Sequence, residues 1–267
     1  MHGFIRFDGI LIAVLLCGCL RPSAQEAERI KVAEGEYRVT TQEDFGVGPI
    51  ETEVFHFRES WSLWRIGGEY ELQGERVFES PRGTPHDNKF VANLTHDLRL
   101  LSVKEFARLA FRPDSGPLTC QFLRNQLHCD SSAKDPAQNV DLDVPMDRSY
   151  GLLWPLSAFS LASLTRVTSV DDGKPVPIEI VQLQQLNYEL PVLSIRSDGL
   201  IRYLGQSRSA ITVSGKNWYP KVYEITASPV RKLTLWVSPE GLLLGAEKPS
   251  FPKGRMELVR FTKFVDF

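Results

Sequence analysis

The chain has 267 residues, with 31 Lys and Arg against 33 Asp and Glu and a formal net charge of −2. A balance this even, with no basic stripe, argues against nucleic acid as a partner. Hydrophobic residues make up 42%, which excludes global disorder, and no fixed-period repeat marks a solenoid or propeller.

The N-terminus reads as an address. A short, weakly basic start is followed by the apolar run GILIAVLLCGCL from Gly9 to Leu20, which has the length of a signal-peptide core rather than of a membrane span. Leu16-Cys17-Gly18-Cys19 resembles a bacterial lipobox. The resemblance implies that Cys19 carries lipid and becomes the mature N-terminus; Cys17 departs from the usual residue type at that position. Cleavage after Ala24 is the competing reading, although Pro22 fits it poorly. The division that follows is a signal peptide with a lipobox over 1–19, a polar tether over 20–33 and one β domain over 34–267. No Asp follows the Cys, so inner-membrane retention is not signalled. The protein is expected on the periplasmic side of the outer membrane, with a soluble periplasmic or secreted form as the alternative.

Strand signals then dominate. EYRVTTQE alternates with period 2. WSLWRI and EYELQGERVF flank Gly67-Gly68, a hairpin loop whose register sets Leu63 opposite Leu72 and Arg65 opposite Tyr70. In LTCQFLRNQLHCDS, a turn at Arg124-Asn125 sets Phe122 opposite Leu127 and Cys120 opposite Cys129. The Cys pair falls at a narrow, non-hydrogen-bonded site, and an exported compartment permits a disulfide. Two buried free thiols are the other reading.

Tyr150 to Arg166, YGLLWPLSAFSLASLTR, is apolar and nearly uncharged. Pro155 suits a first helical turn, so the stretch is expected to be the main helix. The second half is again strand-rich. In LTLWVSPEGLLLGAE, a type I turn with Pro239 at i+1 and Gly241 at i+3 is expected to pair Val237 with Leu242 and Leu235 with Leu244. RMELVRFTKFV closes the chain, with Met256, Leu258 and Phe264 expected on one face and Val259, Phe261 and Val265 on the other. The fold class is therefore mostly β, a single curved antiparallel sheet (a half-barrel) with one main helix packed on its concave face.

Long antiparallel strands, export and a lipid anchor together resemble the LolA/LolB-like β half-barrels of bacterial envelopes and their periplasmic relatives. LTLWVSPEGLLLGAEKP followed by GRMELVRF carries the resemblance in residues. It implies a fold and an apolar cavity, and it transfers no catalytic residue.

The chemistry-bearing motifs are missing. There is no nucleophile elbow, HExxH, Walker A or dinucleotide fingerprint. His86-Asp87 and His96-Asp97 place neighbours on opposite strand faces, so neither pair converges by itself. No catalytic residue, metal site or cofactor is assigned. Trp61, Trp64, Tyr70, Trp154 and Phe159 are the candidate lining of a ligand cavity. The expected function is a non-enzymatic envelope lipoprotein that binds an apolar small molecule, lipid or acyl chain and meets the membrane through its anchor. A protein–protein scaffold with a filled core and an envelope protein partner is the alternative. Cys19→Ala should release the protein from membranes in a fractionation experiment, and a variant that stays bound would end the anchor reading.

Overall fold

The computed structural model describes residues 28–43, 53–79, 87–107, 118–123, 126–131, 140–145, 150–154, 172–184, 193–228, 231–249 and 253–266. The strands in the first half are β1 (Arg29–Glu43), β2 (Glu53–Ile66), β3 (Glu69–Glu79), β4 (Asp87–Leu94), β5 (Leu100–Ala107), β6 (Leu118–Phe122), β7 (Gln126–Ser131) and β8 (Val140–Pro145). Those that follow are β9 (Tyr150–Trp154), β10 (Val176–Gln184), β11 (Leu193–Gln206), β12 (Ile211–Val213) and β13 (Lys216–Trp218). The last are β14 (Lys221–Ser228), β15 (Arg231–Val237), β16 (Leu243–Lys248) and β17 (Gly254–Lys263). Fifteen form one sheet, in the order β8-β7-β6-β5-β4-β3-β2-β1-β17-β16-β15-β14-β11-β10-β9. Strands β12 and β13 form a separate hairpin.

The expected main helix does not occur among the described residues. Tyr150–Trp154 is strand β9, paired in parallel with β10, and the described residues contain no helix. Residues 155–166 lie outside the described residues. The physical reason lies in Pro155, whose ring crowds the preceding residue and drives Trp154 to extended backbone. A five-residue apolar run that stops at a proline is a short buried strand as readily as a helix. Apart from the β9–β10 pair the main sheet is antiparallel. Strand β1 already begins at Arg29, within the stretch read as tether.

The sheet cannot be flat. Its edge strands, β8 and β9, are consecutive in the chain. Fifteen strands spaced about 4.8 Å apart would put those edges about 67 Å apart. The five covalent steps from Pro145 to Tyr150 reach about 18 Å at most. The sheet must therefore curl until its two edges approach each other.

One rung shows how it curls. Phe261 of β17 pairs with Gly35 of β1, Gly35 with Trp61 of β2, Trp61 with Gly74 of β3, and Gly74 with Phe90 of β4. Aromatic residues and glycines alternate across five strands. A Cβ on Gly35 would lie 2.5 Å from Trp61 Cζ2, and one on Gly74 would lie 2.1 Å from Phe90 Cζ. The rings thus lie over bare backbone, and two strands can bend inward where a side chain would hold them apart. The next residues on this face form a wider buried rung of Ala33, Leu63, Leu72, Ala92, Val103, Cys120 and Cys129 across β1 to β7. The expected pairs Leu63–Leu72, Arg65–Tyr70, Phe122–Leu127 and Cys120–Cys129 all occur. The cysteines are joined by a disulfide with Cα atoms 4.1 Å apart.

A polar rung lies on the other side of the aromatic one. Tyr37, Glu59 and Arg76 are cross-strand neighbours, and all three are buried. Arg76 donates to Glu59 and stacks 4.8 Å over the Phe57 ring, while Tyr37 donates to the Leu243 carbonyl at 2.7 Å. Burial pushes the Glu59 carboxyl above its ordinary range against the pull of Arg76. Burial first, and the Glu59 charge second, hold the Tyr37 phenol well above its own. Desolvation offsets most of what such a pair gains, yet removing one member strands the other at a cost of about 3–5 kcal/mol.

Two expected registers shift. Gly241 adopts φ 85° and its N–H donates to the Ser238 carbonyl at 2.9 Å, which is the expected type I turn. The left-handed glycine adds a bulge, so the Ser238 N–H bonds to the Leu242 carbonyl and Val237 pairs with Leu243. A second irregularity past Trp236 then sets Leu235 opposite Ala246. In β17, a shift opposite Glu36/Tyr37 leaves Val259 as the extra residue, and Phe261 joins Met256 and Leu258 on the inner face while Phe264 turns outward.

Gly74→Ala should cost about 1–3 kcal/mol, the usual penalty of overpacking, measured by urea unfolding. The loss should shrink in a Phe90→Leu background, where the ring is gone; equal losses in both backgrounds would contradict the close approach.

Candidate functional site

Residues 207–220 form an excursion between β11 and β14. Its base is closed by the Ser207 N–H bond to the Pro220 carbonyl at 2.8 Å. Above the base Ile211 pairs with Trp218 and Val213 with Lys216. Ser214 and Gly215 make the turn at φ 50° and 78°, the positive-φ pair that a tight hairpin needs.

The hairpin is seated on β17. Pairing between β16 and β17 runs from Lys248–Gly254 to Gly245–Glu257, so Phe261 lies beyond the paired stretch. There the Phe261 N–H donates to Ser214 Oγ at 3.0 Å. The Trp218 ring meets the Phe261 ring edge-on, with centroids 6.2 Å apart. Lys216 Nζ sits 3.7 Å from the Trp218 centroid and 3.9 Å from Glu240 of the β15–β16 turn. Glu240 also holds Lys263 at 3.7 Å.

A cavity of about 490 Å³ lies between the 207–212 arm and strands β15 to β17. Ser207, Ser209, Ile211 and Thr212 form one wall. Trp236, Gly245 and Glu257 form a cross-strand rung of the other, on the sheet face opposite Leu235 and Ala246. Leu244, Met256 and Leu258 also border it, Met256 and Leu258 with their side chains on the inner face, and Arg255 bonds to Glu257 at 2.5 Å, both exposed. Hydroxyls and a neutralised ion pair beside Trp and aliphatic groups suit an amphiphilic occupant. No histidine or cysteine lines the cavity, and Ser207 Oγ is turned to the Ser209 carbonyl at 2.9 Å.

The sequence candidates lie elsewhere. Trp61 and Tyr70 are buried in the inner core, where Trp61 stacks on Tyr37 at 6.3 Å. Trp64 is on the opposite face, donating to Ser62 Oγ at 3.0 Å beneath the Arg29 guanidinium at 4.4 Å. The Trp154 side chain, Phe159 and Cys19 lie outside the described residues. None of Trp61, Trp64 and Tyr70 lines the cavity. The residues that do were missed because their meeting depends on the bulges of β15 to β17 and on the fold-back of residues 207–220. The available signal was Gly245 opposite Trp236, an aromatic–glycine pair like those of the inner rung.

The histidines arrange differently from their sequence neighbours. His96 and Asp97 are exposed and 4.0 Å apart, and the side chains of His86 and Asp87 are outside the described residues. The close pair is His128 with Asp143, 2.9 Å apart across β7 and β8. The hydrogen bond to Asp143 raises the His128 imidazole above its ordinary range, and the charges of Asp143, Asp141 and Asp130 add to it. Among the described residues no His, Cys, Asp and Glu group of three or more is arranged to hold a metal ion.

No family model matches the chain, and no curated protein does. Solved structures that resemble it include two proteins of unknown function. One is a β-barrel-like protein of the domain of unknown function DUF1849 from Brucella abortus, with TM-score 0.53 and 7% identity over 89% of this chain and 100% of that one. The other is a DUF1089 family protein from Pseudomonas aeruginosa, with TM-score 0.43 and 14% identity over 74% and 91%. The likeness to the first establishes a β-barrel-like fold, in agreement with the approach of the sheet edges; it does not single out the LolA/LolB branch.

Proposed function

We propose that this protein is a non-enzymatic binding protein of the bacterial cell envelope, held at the membrane through Cys19, that takes an amphiphile such as a lipid or acyl chain. The observation that carries the reading is the 490 Å³ cavity bordered by Ser207, Ile211, Thr212, Trp236 and Gly245. Its volume falls in the range of small-ligand sites, and each CH₂ buried there contributes about 0.8 kcal/mol. The lipobox resemblance supports the location, and the LolA/LolB-like resemblance supports a barrel that holds acyl chains. The occupant belongs beneath the β12–β13 hairpin rather than against the inner face, because Trp61 and Phe90 already fill the space over Gly35 and Gly74.

Titration of a naturally fluorescent polyene fatty acid into the anchor-free protein tests this. Binding should saturate, and Ser209→Trp, which fills the cavity, should weaken it by about tenfold or more, the loss of roughly two buried CH₂ groups. Trp61→Phe should leave it unchanged. Absence of saturable binding would favour the protein–protein scaffold, to which a filled inner face is also suited.

A further inference from the structure

We infer that the β12–β13 hairpin is a hinged lid over this cavity, latched to β17 at its tip; the inference rests on the cavity being a binding site. The hairpin supplies one entire wall through Ile211, Thr212 and the arm that leads to them, so displacing it opens the site. The ladder is interrupted below it. Between the base bond at Ser207–Pro220 and the first hairpin rung at Ile211–Trp218, the chain runs through Arg208, Ser209 and Ala210 on one side and Tyr219 on the other, all exposed. These residues can change φ and ψ without breaking a sheet bond, which is what a hinge requires.

The hairpin has only three rungs, too few to be stable alone, so its position is set by what its tip touches. Those contacts combine burial of Val213 and Trp218 in the core with polar contacts that are individually weak. They include a hydrogen bond from Phe261 N–H to Ser214 Oγ, an edge-on ring contact from Trp218 to Phe261, and an exposed ion pair from Lys216 to Glu240. The ion pair is screened by salt. Opening exposes Val213 and Trp218 but breaks no pairing of the fifteen-stranded sheet, so the hairpin can open at less cost than unfolding the barrel. The latch also reaches the core, because Phe261 is the end ring of the aromatic–glycine rung.

Backbone hydrogen exchange on the anchor-free protein, with and without the fluorescent fatty acid, tests the lid. Amides of β12 and β13 should exchange faster than those of β14 and β15, and the fatty acid should slow them. Ser214→Gly keeps the positive φ and removes the latch oxygen. It should speed exchange of the hairpin and of the Phe261 amide about three- to tenfold, the range of one lost hydrogen bond. It should also raise the fatty-acid on- and off-rates together, with the melting temperature unchanged. Fatty-acid binding alongside hairpin amides that exchange only with global unfolding would overturn the lid and leave the binding site standing. A hairpin that opens in a protein that binds no fatty acid would overturn both, since it would gate nothing.

Discussion

A ring laid flat on a glycine backbone is a small contact, but the architecture depends on two of them. Trp61 covers Gly35 and Phe90 covers Gly74, in one rung with Phe261 at its end. At these points two backbones approach a side-chain layer more closely than any Cβ would allow. The strands bend toward the rings, and a sheet of fifteen strands closes far enough for a short connection to join its edges. The same rung screens the buried Glu59–Arg76 pair on one side and adjoins the disulfide-bearing apolar rung on the other. Curvature, core and the placement of buried charge thus share one set of residues.

The cavity is a by-product of the way this curl ends. Strand β16 stops pairing with β17 before Phe261, and the hairpin from between β11 and β14 covers the gap. Bulges at Gly241, beyond Trp236 and at Val259 decide which side chains look inward there. Each bulge turns a strand's alternation over once. The residues that border the cavity therefore follow no simple alternation in the sequence.

Local pairing was legible in the sequence, and long-range pairing was not. The hairpins that set Leu63 against Leu72 and Cys120 against Cys129 follow from turn chemistry and period 2, because both partners lie within a few residues of the turn. The type I turn at Pro239 was legible as well, but the register beyond it was not, since a left-handed Gly241 and a further bulge act together. The Tyr150–Arg166 stretch misled because an apolar run before a proline has no distinctive period; the steric effect of Pro155 on Trp154 was the stronger signal. Trp61 and Trp64 were grouped by composition, although three residues apart on a strand means opposite faces. The Gly35–Trp61, Gly74–Phe90 and His128–Asp143 pairs join strands whose spacing in the sequence sets no register, so only the folded sheet brings them together.

The central claim is that aromatic rings rest directly on glycine backbone, and proton NMR tests it most directly. A ring stacked on a Cα shifts the glycine Hα resonances upfield. The account predicts upfield-shifted Hα pairs for both Gly35 and Gly74, with nuclear Overhauser contacts to Trp61 and Phe90 respectively. Phe90→Leu should return the Gly74 signals to the ordinary range and leave those of Gly35 in place. Gly35 and Gly74 signals at ordinary strand positions in the unmodified protein would contradict it.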